Sequence, residues 1–186
     1  MCACIILLAS TSVSAELFDR GGGMIYDSEQ NLTWMKNANV NGKMSVHNAT
    51  TWVENLVYGD FDDWRLPTTM QFDDPTCLED VRATIYRTPL FYEHLSNCLG
   101  GEMEQLTASS DPYNNPIFEN VAGGRYWTST PYRNGVDPCV EGDYCTTDED
   151  TGKRKGFYWQ WSFRDNYKTT LAGGNSRPVW AVRDGD

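Results

Sequence analysis

The stretch Asp63-Trp64-Arg65-Leu66-Pro67-Thr68 constrains this chain more than any other. A large ring, a guanidinium and a rigid proline in such close succession describe a buried corner, where one element ends and the direction of the next is set. Arg65 is its most demanding member, because a guanidinium beside a buried indole is costly unless carboxylates or carbonyls take up its donors. Asp62 and Asp63 are the nearest carboxylates in sequence, and the residues alone do not choose between them.

Short extended segments precede the corner. Met24-Ile25-Tyr26-Asp27 follows Gly21-Gly22-Gly23, and Leu32-Thr33-Trp34-Met35 follows the polar turn Ser28-Glu29-Gln30-Asn31, which predicts an opening hairpin. Ser45 is placed to cap a helix whose apolar residues Val46, Ala49, Trp52, Val53 and Leu56 recur at helical spacing and stop near Tyr58-Gly59. His47 lies beside that stripe with no second histidine one turn on, so it reads as a solvated helix residue.

Beyond the corner, Asp73-Asp74-Pro75-Thr76 opens a predicted second helix through Cys77, Leu78, Val81, Ile85 and Tyr86, and Leu90, Phe91 and Leu95 suggest a further helical turn. Breakers at Gly100-Gly101, Ser109-Ser110-Asp111-Pro112 and Asn114-Asn115-Pro116 predict a loop from 97 to 124, pinned to the core by Phe118. Tyr126-Trp127-Thr128-Ser129-Thr130 reads as a strand entering a long polar loop. In the clearest strand, Phe157, Trp159, Trp161 and Phe163 share one face as a core wall while Tyr158, Gln160 and Ser162 take the other. Asp165-Asn166 then turns the chain into Tyr167-Lys168-Thr169-Thr170-Leu171, and Val179 to Arg183 forms the last strand.

With 186 residues, 40% hydrophobic and 13% aromatic, the chain suits one globular domain with a proper core. A net charge of -11 excludes an extended basic footprint for nucleic acid. The only run of adjacent cations, Lys153-Arg154-Lys155, reads as a solvated hairpin tip.

The apolar run Cys2 to Ala9, followed by small residues to Ala15, predicts an export signal over 1–15 and a single mature domain over 16–186. No basic residue precedes that run, which leaves room for a longer signal upstream; the alternative is a buried first strand. No stretch suits a transmembrane span. Cys77, Cys98, Cys139 and Cys145 would remain after cleavage, an even set that fits an oxidising compartment. Three pairings are open. The sequence-local one, Cys77 with Cys98 and Cys139 with Cys145, is favoured because each bridge closes a loop of turn residues, contributing ~2 to 4 kcal/mol.

Taken in order, Met24 to Asp27, Leu32 to Trp34, the Met44 to Leu56 helix, Asp63 to Thr68, Tyr126 to Thr130 and Trp180 to Arg183 resemble the Lcl C-terminal domain family of bacterial envelope and secreted proteins. The resemblance implies an α+β fold of C-type-lectin-like design: two helices packed on small twisted, mainly antiparallel sheets, with neighbouring termini and long loops. It also implies adhesion through sulfated glycans. A polyanion site needs several converging cations, which this acidic chain does not display in sequence.

Loop groups suited to a glycan or a protein surface are Tyr132, Arg133, Asn134 and Tyr144, with Tyr113 and Asn114 on the earlier loop. Asp148 and Asp150 are candidate calcium ligands within an acidic loop that also reads as simply solvated. The Glu-Pro-Asn and Trp-Asn-Asp motifs of calcium-dependent lectins are absent. The expectation is therefore an exported binding or adhesion module, neither cofactor-dependent nor catalytic. An oxidase using Cys139 and Cys145 in the manner of formylglycine-generating enzymes, or a purely structural envelope protein, are the alternatives. Trp64, Arg65, Trp127, Trp159, Trp161 and Trp180 are assigned to structure.

Overall fold

A computed structural model describes residues 16–69, 100–131, 146–147, 154–155, 157–172 and 174–186. The expected hairpin of β2 (Met24–Asp27) and β3 (Leu32–Met35) is present, and a strand not read from the sequence, β1 (Leu17–Gly21), precedes it to make a meander. Gly23 makes the first reversal feasible, with a φ of 81° and no room for a Cβ against the Tyr58 hydroxyl. The second reversal is held by buried Asp27, whose carboxylate accepts from the backbone nitrogens of Glu29 and Gln30 at 3.0 and 3.2 Å.

Two short elements lead to the corner. β4 (Lys43–Met44) is followed by α1 (Val46–Glu54), whose N-cap Ser45 accepts from the Asn48 nitrogen and whose buried face is Val46, Ala49 and Val53. Trp52 and Leu56 on the same stripe are half-buried and His47 is exposed. At the corner Arg65 exchanges both backbone hydrogen bonds with Val182, at 2.8 and 2.9 Å.

Asp62 and Asp63 are not the partners of Arg65. The guanidinium donates to both oxygens of Glu102, at 2.9 and 2.5 Å, and to Asp184 at 2.6 Å. Asp63 instead receives Arg183 at 2.7 and 3.1 Å, and that guanidinium lies 3.8 Å from the centre of the Phe61 ring. In an extended segment, a residue two places along is farther from a side-chain tip than a residue on the adjoining strand. Glu102 at the start of a helix and Asp184 on the adjoining strand therefore outcompete the sequence neighbours.

The predicted loop over 97–124 contains a helix, α2 (Glu102–Ser110). The glycines and serines taken as breakers lie at its ends: Gly101 is the N-cap, and Asp111 closes the C-terminus at a φ of 43°. Glu102 and Glu104 occupy its first turn, where carboxylates complement the helix dipole, and Met103 and Leu106 are buried. Phe118 packs into the core as expected. The helical segments predicted over 73–95 lie outside the described residues.

A three-stranded antiparallel sheet follows, ordered β5 (Arg125–Pro131), β8 (Phe157–Ser162) and β9 (Tyr167–Ala172), with β6 (Thr146–Thr147) paired to β7 (Arg154–Lys155). Arg154 and Lys155 are thus strand residues and not a hairpin tip. Trp159, Trp161 and Phe163 are buried as the alternation predicts, but Gln160 and Ser162 are buried too, so β8 is covered on both faces. The last strand starts later than predicted. β10 (Arg177–Pro178) pairs with β4, and β11 (Val182–Asp184) joins the first sheet, ordered β1-β2-β3-β11.

Trp180, between β10 and β11, is the hub of the core. Its ring meets Trp34, Phe118, Tyr126 and Phe163 at centroid distances of 5.2, 5.0, 5.8 and 5.3 Å. Four indole nitrogens bind distant backbone or hydroxyl oxygens: Trp180 to Met35, Trp127 to Met44, Trp161 to Thr107 and Trp64 to Tyr58. Each satisfies a buried donor while fixing one segment to another. Trp159 is buried outside this contiguous cluster.

Candidate functional site

A cleft of about 390 Å³ opens where the β4–β10 pair meets the end of the three-stranded sheet. Among the described residues four cations line it, Lys43, Arg125, Arg164 and Arg177, against the single carboxylate of Asp165. Each arrives by a different route. β4 and β10 run antiparallel with Pro178 opposite Lys43, which brings Arg177 alongside it. Arg125 opens β5 and pairs with Ser162 at the end of β8, and the turn after Ser162 carries Arg164 and Asp165. Asn166 closes that turn at a φ of 55°, its nitrogen donating to the Ser162 carbonyl at 2.9 Å.

Arg177 is held from below. Its Nε donates to Oε1 of the fully buried Gln160 at 3.0 Å, and Nη1 donates to the Ser176 carbonyl at 2.9 Å. Arg164 is engaged by its neighbour: Nε and Nη2 reach the two oxygens of Asp165 at 2.9 and 3.0 Å. Asp165 also accepts from the Ser162 hydroxyl at 3.0 Å. Hydrogen bonding from Arg164 holds the Asp165 carboxyl below the usual carboxylate range, helped by Ser162 and by the positive charge of Arg125. The same pair raises the pKa of Arg164. Among the described residues neither His nor Cys lines the cleft, and its cations suit the capture of an anion, guanidinium groups offering forked donors to sulfate or carboxylate.

Among the expected recognition residues, Tyr113 reaches this site. A Cβ built on cleft-lining Gly123 would lie 3.4 Å from the Tyr113 hydroxyl and 3.5 Å from Arg164, so the ring sits at the rim, 38% exposed. Asn114 serves its own turn, donating to Asp111 at 2.9 Å. Tyr132, Arg133, Asn134 and Tyr144, the candidate calcium ligands Asp148 and Asp150, and Cys77, Cys98, Cys139 and Cys145 lie outside the described residues. Pro131, where the chain leaves for 132, pairs with Tyr158, at the end of the sheet away from Arg125 and the cleft. The expectation that Lys153 to Lys155 is the only local cationic cluster fails, since four cations from four separate segments share one hollow. No adjacency along the chain announces it; only the pairing of β4 with β10 and of β5 with β8 does.

A second hollow of about 530 Å³ lies between Glu16–Leu17 and the C-terminal end of α2. Ser109 and Ser110 within it donate to the Leu106 carbonyl and so serve the helix end. Among the described residues, no three His, Cys, Asp or Glu side chains are grouped to hold a metal ion, and no helix is long and apolar enough to cross a membrane.

Helices on small antiparallel sheets, with a cationic cleft at one sheet end, define an α+β domain. The chain belongs to the Lcl C-terminal domain family, whose model matches residues 23–183. No curated protein and no solved structure matches it.

Proposed function

We propose that this chain is an exported binding module, a single C-type-lectin-like domain that captures anionic glycans, sulfated or carboxylated, in the cleft of Lys43, Arg125, Arg164 and Arg177. One observation carries the reading: in a chain of net charge -11, four cations converge on one hollow with a single carboxylate among its described residues. Charges of like sign brought together at a surface repel and are dispersed unless a ligand uses them. Tyr113 at the rim adds an amphipathic ring of the kind that suits sugars and protein surfaces alike.

The test is binding of the exported chain to a sulfated polysaccharide and to its desulfated form, by calorimetry at low and physiological salt. The sulfated form is expected to bind with an affinity that falls as salt rises. Lys43→Gln and Arg177→Gln are each expected to weaken binding by about two- to tenfold, the worth of one partly exposed charged contact. Equal binding of both polymers, or unchanged affinity in both variants, refutes the proposal.

A further inference from the structure

We infer that Asp165 is the selectivity residue of the cleft, a built-in carboxylate that makes single anions poor ligands and reserves the site for ligands presenting several anionic groups. The inference rests on the anion-binding reading above. Arg164 and Asp165 are adjacent in sequence, so their forked pair forms at a high effective concentration that no dilute monoanion matches. The pair is also pre-organised. Asp165 accepts from the Ser162 hydroxyl at 3.0 Å, and its backbone nitrogen donates to the same oxygen at 3.2 Å, which holds the carboxylate facing Arg164.

A lone sulfate entering the cleft meets Lys43, Arg125 and Arg177 but also the field of Asp165, and it gains little from Arg164, whose fork is engaged. A ligand with linked anionic groups holds Lys43 and Arg177 with one group. Its second group then competes for Arg164 as an intramolecular event, and the advantage of Asp165 is lost. Asp165 thereby turns a general anion trap into a reader of charge density. The placement of Arg177 does not depend on Asp165, because Arg177 is positioned by Gln160 and Ser176.

Asp165→Asn tests this with little disturbance, since Asn keeps the shape and the turn preference of Asp. The probes are inorganic sulfate and a short sulfated oligosaccharide, titrated into the wild-type chain and the variant at fixed ionic strength. Loss of the carboxylate is expected to tighten sulfate binding by about three- to tenfold and oligosaccharide binding by less than about threefold, so the preference for the oligosaccharide narrows. Ser162→Ala keeps the charge but loosens the carboxylate it orients, and it is expected to narrow that preference by clearly less than Asp165→Asn does.

If the wild-type chain binds the oligosaccharide and Asp165→Asn leaves the preference unchanged, the inference falls and the binding function stands. If Ser162→Ala narrows the preference as much as Asp165→Asn does, turn geometry and not the carboxylate is responsible, which also overturns it. Binding of neither probe by the wild-type chain overturns the functional reading and this inference with it.

Discussion

Arg65 spans two carboxylates of contrasting exposure, which makes a calibrated experiment on the corner possible. Glu102 is 17% exposed at its side chain and Asp184 76%, and both contact the same guanidinium nitrogen, at 2.5 and 2.6 Å. Glu102 also accepts from the Thr68 nitrogen at 2.7 Å, so it ties α2, the corner and Arg65 together. In Glu102→Gln the surviving oxygen keeps Thr68 and Nη1 of Arg65, which both donate to Oε2, and the amide nitrogen at the other position then faces the Nη2 donor. A charge-assisted fork becomes one neutral hydrogen bond and one mismatch at a mostly buried position, a loss of about 1.5 to 3 kcal/mol. Asp184→Asn, at an exposed position, is expected to lose only about 0 to 1 kcal/mol. At about 2 to 4 °C per kcal/mol for a domain of this size, thermal melts at pH 7 followed by far-UV circular dichroism should show a drop of about 3 to 12 °C for Glu102→Gln and at most about 4 °C for Asp184→Asn. An equal or larger drop in Asp184→Asn refutes the argument that burial, not contact distance, decides what each pair contributes.

Gly23→Ala places a Cβ against the Tyr58 hydroxyl at a φ of 81°, and it is expected to cost about 2 to 4 kcal/mol in urea unfolding. Adding Tyr58→Phe, which removes the obstructing oxygen, should recover part of that loss. Asp63 has its pKa lowered chiefly by hydrogen bonding from Arg183. A carboxyl with a depressed folded pKa contributes stability above its unfolded value of about 3.9 and loses it as pH falls through the folded value. The melting-temperature difference between wild type and Asp63→Asn should therefore be present at pH 7 and shrink as the pH falls below about 4. A constant difference across that range would show that the ionised pair is not its source.

Elements set by local pattern are legible in this sequence, and elements set by distant partners are not. The opening hairpin, the Ser45 cap and the aromatic face of Trp159 and Trp161 each follow from residues within a few places of one another. Helix α2 was hidden because glycine pairs and serine pairs punctuate chains in two ways, as loop and as helix cap, and only the flanking packing of Met103 and Leu106 distinguishes them. The partners of Arg65 lie 37 and 119 residues downstream, beyond any local pattern. Tyr113 was identifiable as an amphipathic loop residue, but its neighbours at the rim, Gly123 and Arg164, were not.

The net charge of -11 misleads for a physical reason. A binding site responds to charges within about a Debye length, ~8 Å at physiological salt, whereas net charge sums over the whole surface. Around the first sheet the cations are matched by acids: Lys36 with Asp19 and Glu119, Arg20 with Asp186, Arg65 with Glu102 and Asp184, Arg183 with Asp63. In the cleft the ratio inverts: among its described lining residues Lys43, Arg125, Arg164 and Arg177 stand against one carboxylate, Asp165. Gln160 marks the difference in purpose. A buried amide in a strand costs free energy where it is not hydrogen-bonded; among the described residues Gln160 leaves its Nε2 without a partner and uses its Oε1 to accept from Arg177, a side chain that no acid among them pairs. The first sheet uses its charges to close the fold, and the second uses a core position to present one to solvent.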